Sequence, residues 1–174
     1  MDPAIRLILF VGLAKISNMH ILTISGSSRT DSSNSKLLDH LSDLEGYNTF
    51  ERTNLHFELP LFQAELDSRP LPESVKKWRE KLLISDALII CIPEYIHNMP
   101  AVIKNALEWI TSSGELVGKR VLPITFTPNE PRGARAMQSL LWSLQALDSI
   151  IIVEISLYKT QITFDPQLSG EGAE

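Results

Sequence analysis

The chain has 174 residues, 44% of them hydrophobic and 21% charged, with a net charge of −5. That length suits one domain with a sizeable core, and the composition is ordinary for a globular protein. The acidic balance argues against broad binding to nucleic acid or to an anionic membrane, and no basic cluster offsets it. A single cysteine, Cys91, excludes an intrachain disulfide and fits a reducing, cytoplasmic setting. The four histidines are scattered without metal-ligand spacing.

Residues 1–18 stand apart. Ile5 to Ala14 is apolar but shorter than the roughly 20 residues that span a bilayer. Asp2 offsets Arg6, and no small-x-small cleavage site follows, which disfavours a secretory signal. Residues 1–18 are therefore expected to be an extension outside the core, upstream of a natural start at Met19. Residues 19–174 are expected to form a single domain.

From Met19 onward, strand-like and helix-like segments alternate. His20 to Ser25 is an apolar strand, and Leu37, Leu38, Leu41 and Leu44 then make a helical stripe that Gly46 can cap. Tyr47 to Asn54 reads as a less apolar second strand, and Leu59 to Asp67 as a loop. Val75, Trp78 and Leu82 mark a second helix. Asp86 to Ile92 is strand three; its run Ala87 to Ile92 suits a strand buried on both faces, with Cys91 as a small core residue. Pro93 stops that strand, and Pro100 can open a third helix that buries Val102, Ile103, Ala106, Leu107 and Ile110. Gly118 to Phe126 is strand four. Ala134, Met137, Leu140, Leu141, Leu144 and Leu147 form the stripe of helix four, Ile150 to Ile155 closes the sheet as strand five, and Asp165 to Glu174 is a polar tail. This rhythm predicts a doubly wound parallel sheet of order 2-1-3-4-5. Its switch point lies between strands one and three, where ligands of such sheets sit.

Two loops project from that point. Gly26-Ser-Ser-Arg-Thr-Asp-Ser-Ser-Asn34 packs hydroxyls, an amide and one arginine ahead of a helix N-terminus, a setting suited to an anion. It contains neither Gly-x-Gly-x-x-Gly nor a Gly-Lys-Ser/Thr ending, so dinucleotide-fold and P-loop readings are poor. So many donors around one point suit a terminal phosphomonoester. The second loop, Pro93-Glu-Tyr-Ile-His-Asn98, is polar and aromatic and sits between two prolines. Ser28, Thr30 and Ser33 read as solvated loop positions.

These loops carry a family resemblance. Gly26-Ser27-x-Arg29-x-x-Ser32-x-Asn34 resembles the phosphate loop of the NADPH-dependent FMN reductase family, which includes flavodoxin-like NAD(P)H:flavin, quinone and chromate reductases. Pro93-Glu94-Tyr95, followed by Pro100, Lys104-Asn105-Ala106 and Trp109, resembles that family's second flavin loop and the helix after it. The resemblance covers roughly His20 to Ser156. It implies a flavodoxin-like three-layer α/β sandwich, FMN as cofactor, and NADPH or NADH as cosubstrate. Ser27, Arg29, Ser32 and Asn34 would hold the phosphate. Pro93, Glu94, Tyr95, Ile96, His97 and Asn98 would flank the ring, with Thr127 and Gly133 from a third loop. The resemblance further implies a small acceptor, such as free flavin or a quinone, and a homodimer or homotetramer.

Three departures stand out. Ile96 replaces an asparagine common in the family, Ala101 replaces a glycine, and the third loop, Thr127 to Arg135, holds only Gly133 where paired glycines are usual. Flavin chemistry needs no catalytic dyad, and His97 has no partner visible in the sequence. Arg132 and Arg135 flank Gly133 and could pair with the 2′-phosphate of NADPH. The chief rival is a flavodoxin-like electron carrier without NAD(P)H turnover, although the phosphate loop lacks the Thr-rich, glycine-spaced form of such carriers. A serine hydrolase is disfavoured because Ser27 has no Gly-x-Ser-x-Gly elbow.

Overall fold

The computed structural model describes residues 19–29, 31–44, 48–54, 59–68 and 70–162. The expected extension at 1–18, the cap at Gly46, the strand start at Tyr47 and the tail from Asp165 lie outside these residues, as do Thr30 and the side chain of Leu44.

Six parallel strands form one sheet. The order is β2 (Thr49–Asn54), β1 (His20–Ser25), β3 (Ala87–Ile92), β4 (Arg120–Thr127), with β5 (Ile150–Ile151) and β6 (Ile155–Tyr158) both paired to the outer edge of β4. This is the expected 2-1-3-4-5 order with its last strand divided. Val121 and Ile124 of β4 face Ile151 and Ile155, so the edge strand holds one residue more than β4 over that interval. The extra residue acts as a bulge. It carries the edge strand on to Tyr158, beyond the expected end at Ile155.

Alternation along the strands sorts the core onto two faces. Ile21, Ala87, Ile89, Cys91, Leu122, Ile124 and Phe126 pack with Leu37, Leu38 and Leu41 of α1 (Ser33–Leu44). Leu22, Ile24, Leu88, Ile90, Ile92 and Val121 pack on the other face. They meet Val75, Trp78 and Leu82 of α3 (Glu73–Ile84), Ile103 and Ala106 of α4 (Ala101–Glu108), and Leu140 and Leu144 of α5 (Ala134–Ala146). β3 is buried along its whole length, as its unbroken apolar run predicted. Cys91 is fully buried, and burial pushes its thiol pKa well up, in keeping with a core residue.

Three local expectations are corrected. The segment read as a loop from Leu59 holds a one-turn helix, α2 (Ala64–Asp67). Asp67 there pairs with Arg79 of α3 at 2.6 Å, a tertiary tie that local sequence does not reveal. Pro100 is the cap of α4 rather than its first residue. Ala134 is exposed, while Ala136 takes the buried place, so the stripe of α5 begins two residues later. No described helix is long and apolar enough to cross a membrane.

Candidate functional site

The carboxyl ends of β1, β3, β4 and β6 open on a cleft of about 290 Å³, near the small end of small-molecule sites. Of the twelve predicted site residues, Ser27, Arg29, Ser32, Asn34, Pro93, Glu94, Tyr95 and Thr127 line it. Ile96, His97, Asn98 and Gly133 do not, although all four belong to the loops that form its walls. Ser33, Phe126, Pro128, Arg132 and Lys159 line it as well. Ser33, expected in a solvated loop, faces the cleft because it is the first residue of α1.

The first loop is ordered by its own hydroxyls. Ser32 caps α1: its Oγ accepts the Ser35 N–H at 3.1 Å and lies 2.9 Å from Ser35 Oγ. Ser35 Oγ donates to Ser25 Oγ at 3.2 Å, and Ser27 Oγ accepts the Arg29 N–H at 3.2 Å. Asn34 is 2% exposed, and its Oδ1 accepts from Cys91 Sγ at 3.5 Å, which ties the loop to β3. Gly26 permits the close approach this requires. A Cβ there would sit 2.7 Å from Ile92 Cγ2 and 2.9 Å from Ile103 Cγ1. The result is a helix N-terminus ringed by Ser27, Ser32 and Ser33, with Arg29 at the rim and no ion pair to Arg29 among the described residues. This donor set fits a phosphomonoester.

The second loop is a tight hairpin. Tyr95 and Asn98 exchange backbone hydrogen bonds of 3.1 and 3.0 Å around Ile96 (φ 51°) and His97 (φ 55°). Two successive left-handed residues make a type I′ turn. A β-branched residue is strained there, and Ile96 is also 98% exposed.

Glu94 does something the sequence reading did not foresee. Its Oε2 accepts N–H bonds from Gly133, Arg135 and Ala136 at 3.1, 3.2 and 3.2 Å, so it caps α5 from a distant loop. Its Oε1 lies 3.3 Å from His97 Nδ1. Burial works to raise the Glu94 pKa, but the bonds from Ala136, His97, Gly133 and Arg135 outweigh it and hold the carboxylate below its ordinary range. A signal for this was present in the sequence. Helix α5 opens Gly133-Ala-Arg-Ala136 with no capping side chain, so its first amides needed an acceptor from elsewhere. Gly133 itself has φ 103°, and a Cβ there would lie 3.0 Å from Thr125 Oγ1.

Lys159 was also missed, because strand five was expected to end before it. Thr127 anchors both Lys159 and Arg132: its carbonyl accepts the Lys159 N–H at 2.9 Å, and its Oγ1 donates to the Arg132 carbonyl at 2.8 Å. Arg135, by contrast, does not line the cleft.

The family model for NADPH-dependent FMN reductase matches residues 19–162, and the chain belongs to that family. An NAD(P)H-dependent FMN reductase of Pseudomonas aeruginosa is 28% identical over 86% of this chain and 83% of its own length. A quinone reductase of Pseudomonas putida is 27% identical over 74% of this chain and 70% of its own. Among solved structures, a flavoenzyme NAD(P)H:(acceptor) oxidoreductase of Paracoccus denitrificans superposes with a TM-score of 0.67 at 32% identity, covering 76% of this chain and 74% of that one.

Proposed function

We propose that this protein is an FMN-dependent NAD(P)H oxidoreductase that passes hydride through one cleft to a small acceptor, a quinone or free flavin. The observation that carries this reading is the shared cleft. The hydroxyl-ringed start of α1 and the loop after β3 face a common space at the switch point of the sheet. The quinone reductase and FMN reductase relatives support these acceptors.

The residues divide the work. Ser27, Ser32, Ser33, Asn34 and Arg29 would hold the FMN phosphate through hydroxyls, the first amides of α1 and a guanidinium. Pro93 and Tyr95 would form one wall around the flavin ring, and Phe126, Thr127 and Pro128, which line the same cleft, the other. Glu94 fixes the spacing between those walls, because it belongs to one and binds the helix that follows the other. FMN held there would supply the redox chemistry, hydride acceptance from a nicotinamide and electron donation to the acceptor. The protein contributes position and electrostatics, and no general base is required of it.

We also read the protein as a cytoplasmic homodimer or homotetramer that takes small molecules and binds neither nucleic acid nor membrane. The net charge of −5 supports the last point. Exposed Tyr95 and Ile96 at the rim of the cleft support assembly there. Initial-velocity measurements with NADPH and a quinone test the catalytic reading. One site used in turn gives parallel double-reciprocal lines. An FMN-loaded protein that consumes no NAD(P)H with any acceptor would instead be an electron carrier.

A further inference from the structure

The cleft is more basic than the chain that makes it. Against a net charge of −5, its lining holds Arg29, Arg132 and Lys159 and a single carboxylate, Glu94. That carboxylate already serves three backbone N–H groups and His97. The three cations make no ion pair among the described residues. One of them is accounted for by the FMN phosphate. The other two are not, because of where the sheet puts them.

Arg29 follows β1, whereas Lys159 follows β6. Along the order β1-β3-β4-β6 that is three strand spacings, about 14 Å. Arg132, in the loop after β4, stands with Lys159. Both backbones are fastened to Thr127, one through its hydroxyl and one through its carbonyl. A phosphate held at the start of α1 would therefore lie at one end of the cleft, with Arg132 and Lys159 toward the other.

We propose that Arg132 and Lys159 form an anion subsite for the electron acceptor, and that the preferred acceptors are quinones bearing a fixed negative group such as a sulfonate or carboxylate. This rests on the oxidoreductase reading above and adds a substrate class to it. The overall step is quinone plus NAD(P)H plus one proton giving hydroquinone plus NAD(P)⁺. Two electrons move, the proton comes from water, and the anionic group is a spectator that orients the ring. A cation pair at an open rim acts mainly through charge, so the preference weakens as salt screens it. The phosphates of the nicotinamide nucleotide share the same anionic chemistry and reach the cleft in the other half of the cycle.

The test separates the two sources and does not depend on turnover alone. Equilibrium binding of naphthalene-2-sulfonate and of its uncharged counterpart, naphthalene-2-sulfonamide, is measured on the FMN-loaded protein by calorimetry at low and high salt. The wild type is expected to favour the sulfonate, and Lys159→Gln to lower that preference by about fivefold, the effect of one unit-charge contact close to water. Lys159→Arg should restore it. In the oxidative half-reaction, the rate ratio for 1,4-naphthoquinone-2-sulfonate over 2-methyl-1,4-naphthoquinone should fall by a similar factor in Lys159→Gln. Comparing variants cancels the difference in potential between the two quinones. Equal binding of both naphthalenes by the wild type, or a Lys159→Gln effect confined to reduction by NADPH, overturns the proposal while leaving the oxidoreductase reading intact. A protein that binds no FMN overturns both.

Discussion

The Glu94 carboxylate and the Gly133 amide meet at 3.1 Å, joining the loop after β3 to the first turn of α5. One oxygen also takes the amides of Arg135 and Ala136, so a single side chain closes the N-terminus of a 13-residue helix. The side chain is only 9% exposed. The loop after β3 and the start of α5 are thus held together by one side chain.

Replacing Glu94 with alanine should destabilise the protein by about 2 kcal/mol, as for loss of a helix cap made by a charged acceptor. Glu94→Gln keeps an acceptor but not the charge and should lose about half as much. The pH dependence follows from the lowered pKa. A carboxylate held below its unfolded value stabilises the fold above the ordinary value of 4.5, and this contribution is lost as pH falls through the lower folded value. Urea midpoints from pH 7 down to pH 3 check this; in Glu94→Gln that share of the acid destabilisation should be missing.

Arg29→Ala should weaken FMN binding by about 1.5–3 kcal/mol, the range for a hydrogen bond to a charged group, and leave riboflavin almost unaffected. Fluorescence titration with both flavins measures it. Equal losses would place Arg29 outside the phosphate site.

Ile96→Asn should stabilise the protein by about 1 kcal/mol, because asparagine tolerates the left-handed backbone that a β-branched residue resists. In a chain of this size that raises Tm by about 2–4 °C. An unchanged or lower Tm would mean that the turn relaxes on its own or that Ile96 packs against another molecule.

Much of this was legible in the sequence, and the reasons differ from part to part. β3 and the stripe of α1 declared themselves because periodicity reports burial directly, and the sheet order followed from their alternation. The hydroxyl-rich loop that opens α1 was legible because its chemistry is local: hydroxyls and an arginine directly ahead of a helix. Glu94 was legible as a residue of the loop after β3 but not as the cap of α5, since the amides it binds lie some forty positions away in the chain. Lys159 was hidden by a one-residue bulge in an edge strand, which no propensity announces. His97 has a partner after all, but that partner is the carboxylate capping α5.

The structure divides the two arginines proposed for nucleotide choice. Arg132 lines the cleft and Arg135 does not. Arg132→Ala should therefore lower the ratio of kcat/KM for NADPH over NADH, and Arg135→Ala should not. A drop in the ratio for Arg135→Ala alone would reverse the assignment.

A protein beginning at Met19 should keep its Tm within a few degrees and bind FMN as the full chain does, if residues 1–18 stand outside the domain. Collapse of its soluble yield would mean that Ile8 to Leu13 covers apolar core.

The most direct test of the central claim is anaerobic. FMN-loaded protein is mixed with NADPH, then with a quinone, while the oxidised-flavin absorbance is followed. The band should be lost on the first addition and return on the second, in repeated cycles with one equivalent of hydroquinone formed per turn. A flavin that stays bound and oxidised in the presence of excess NADPH and NADH would contradict it.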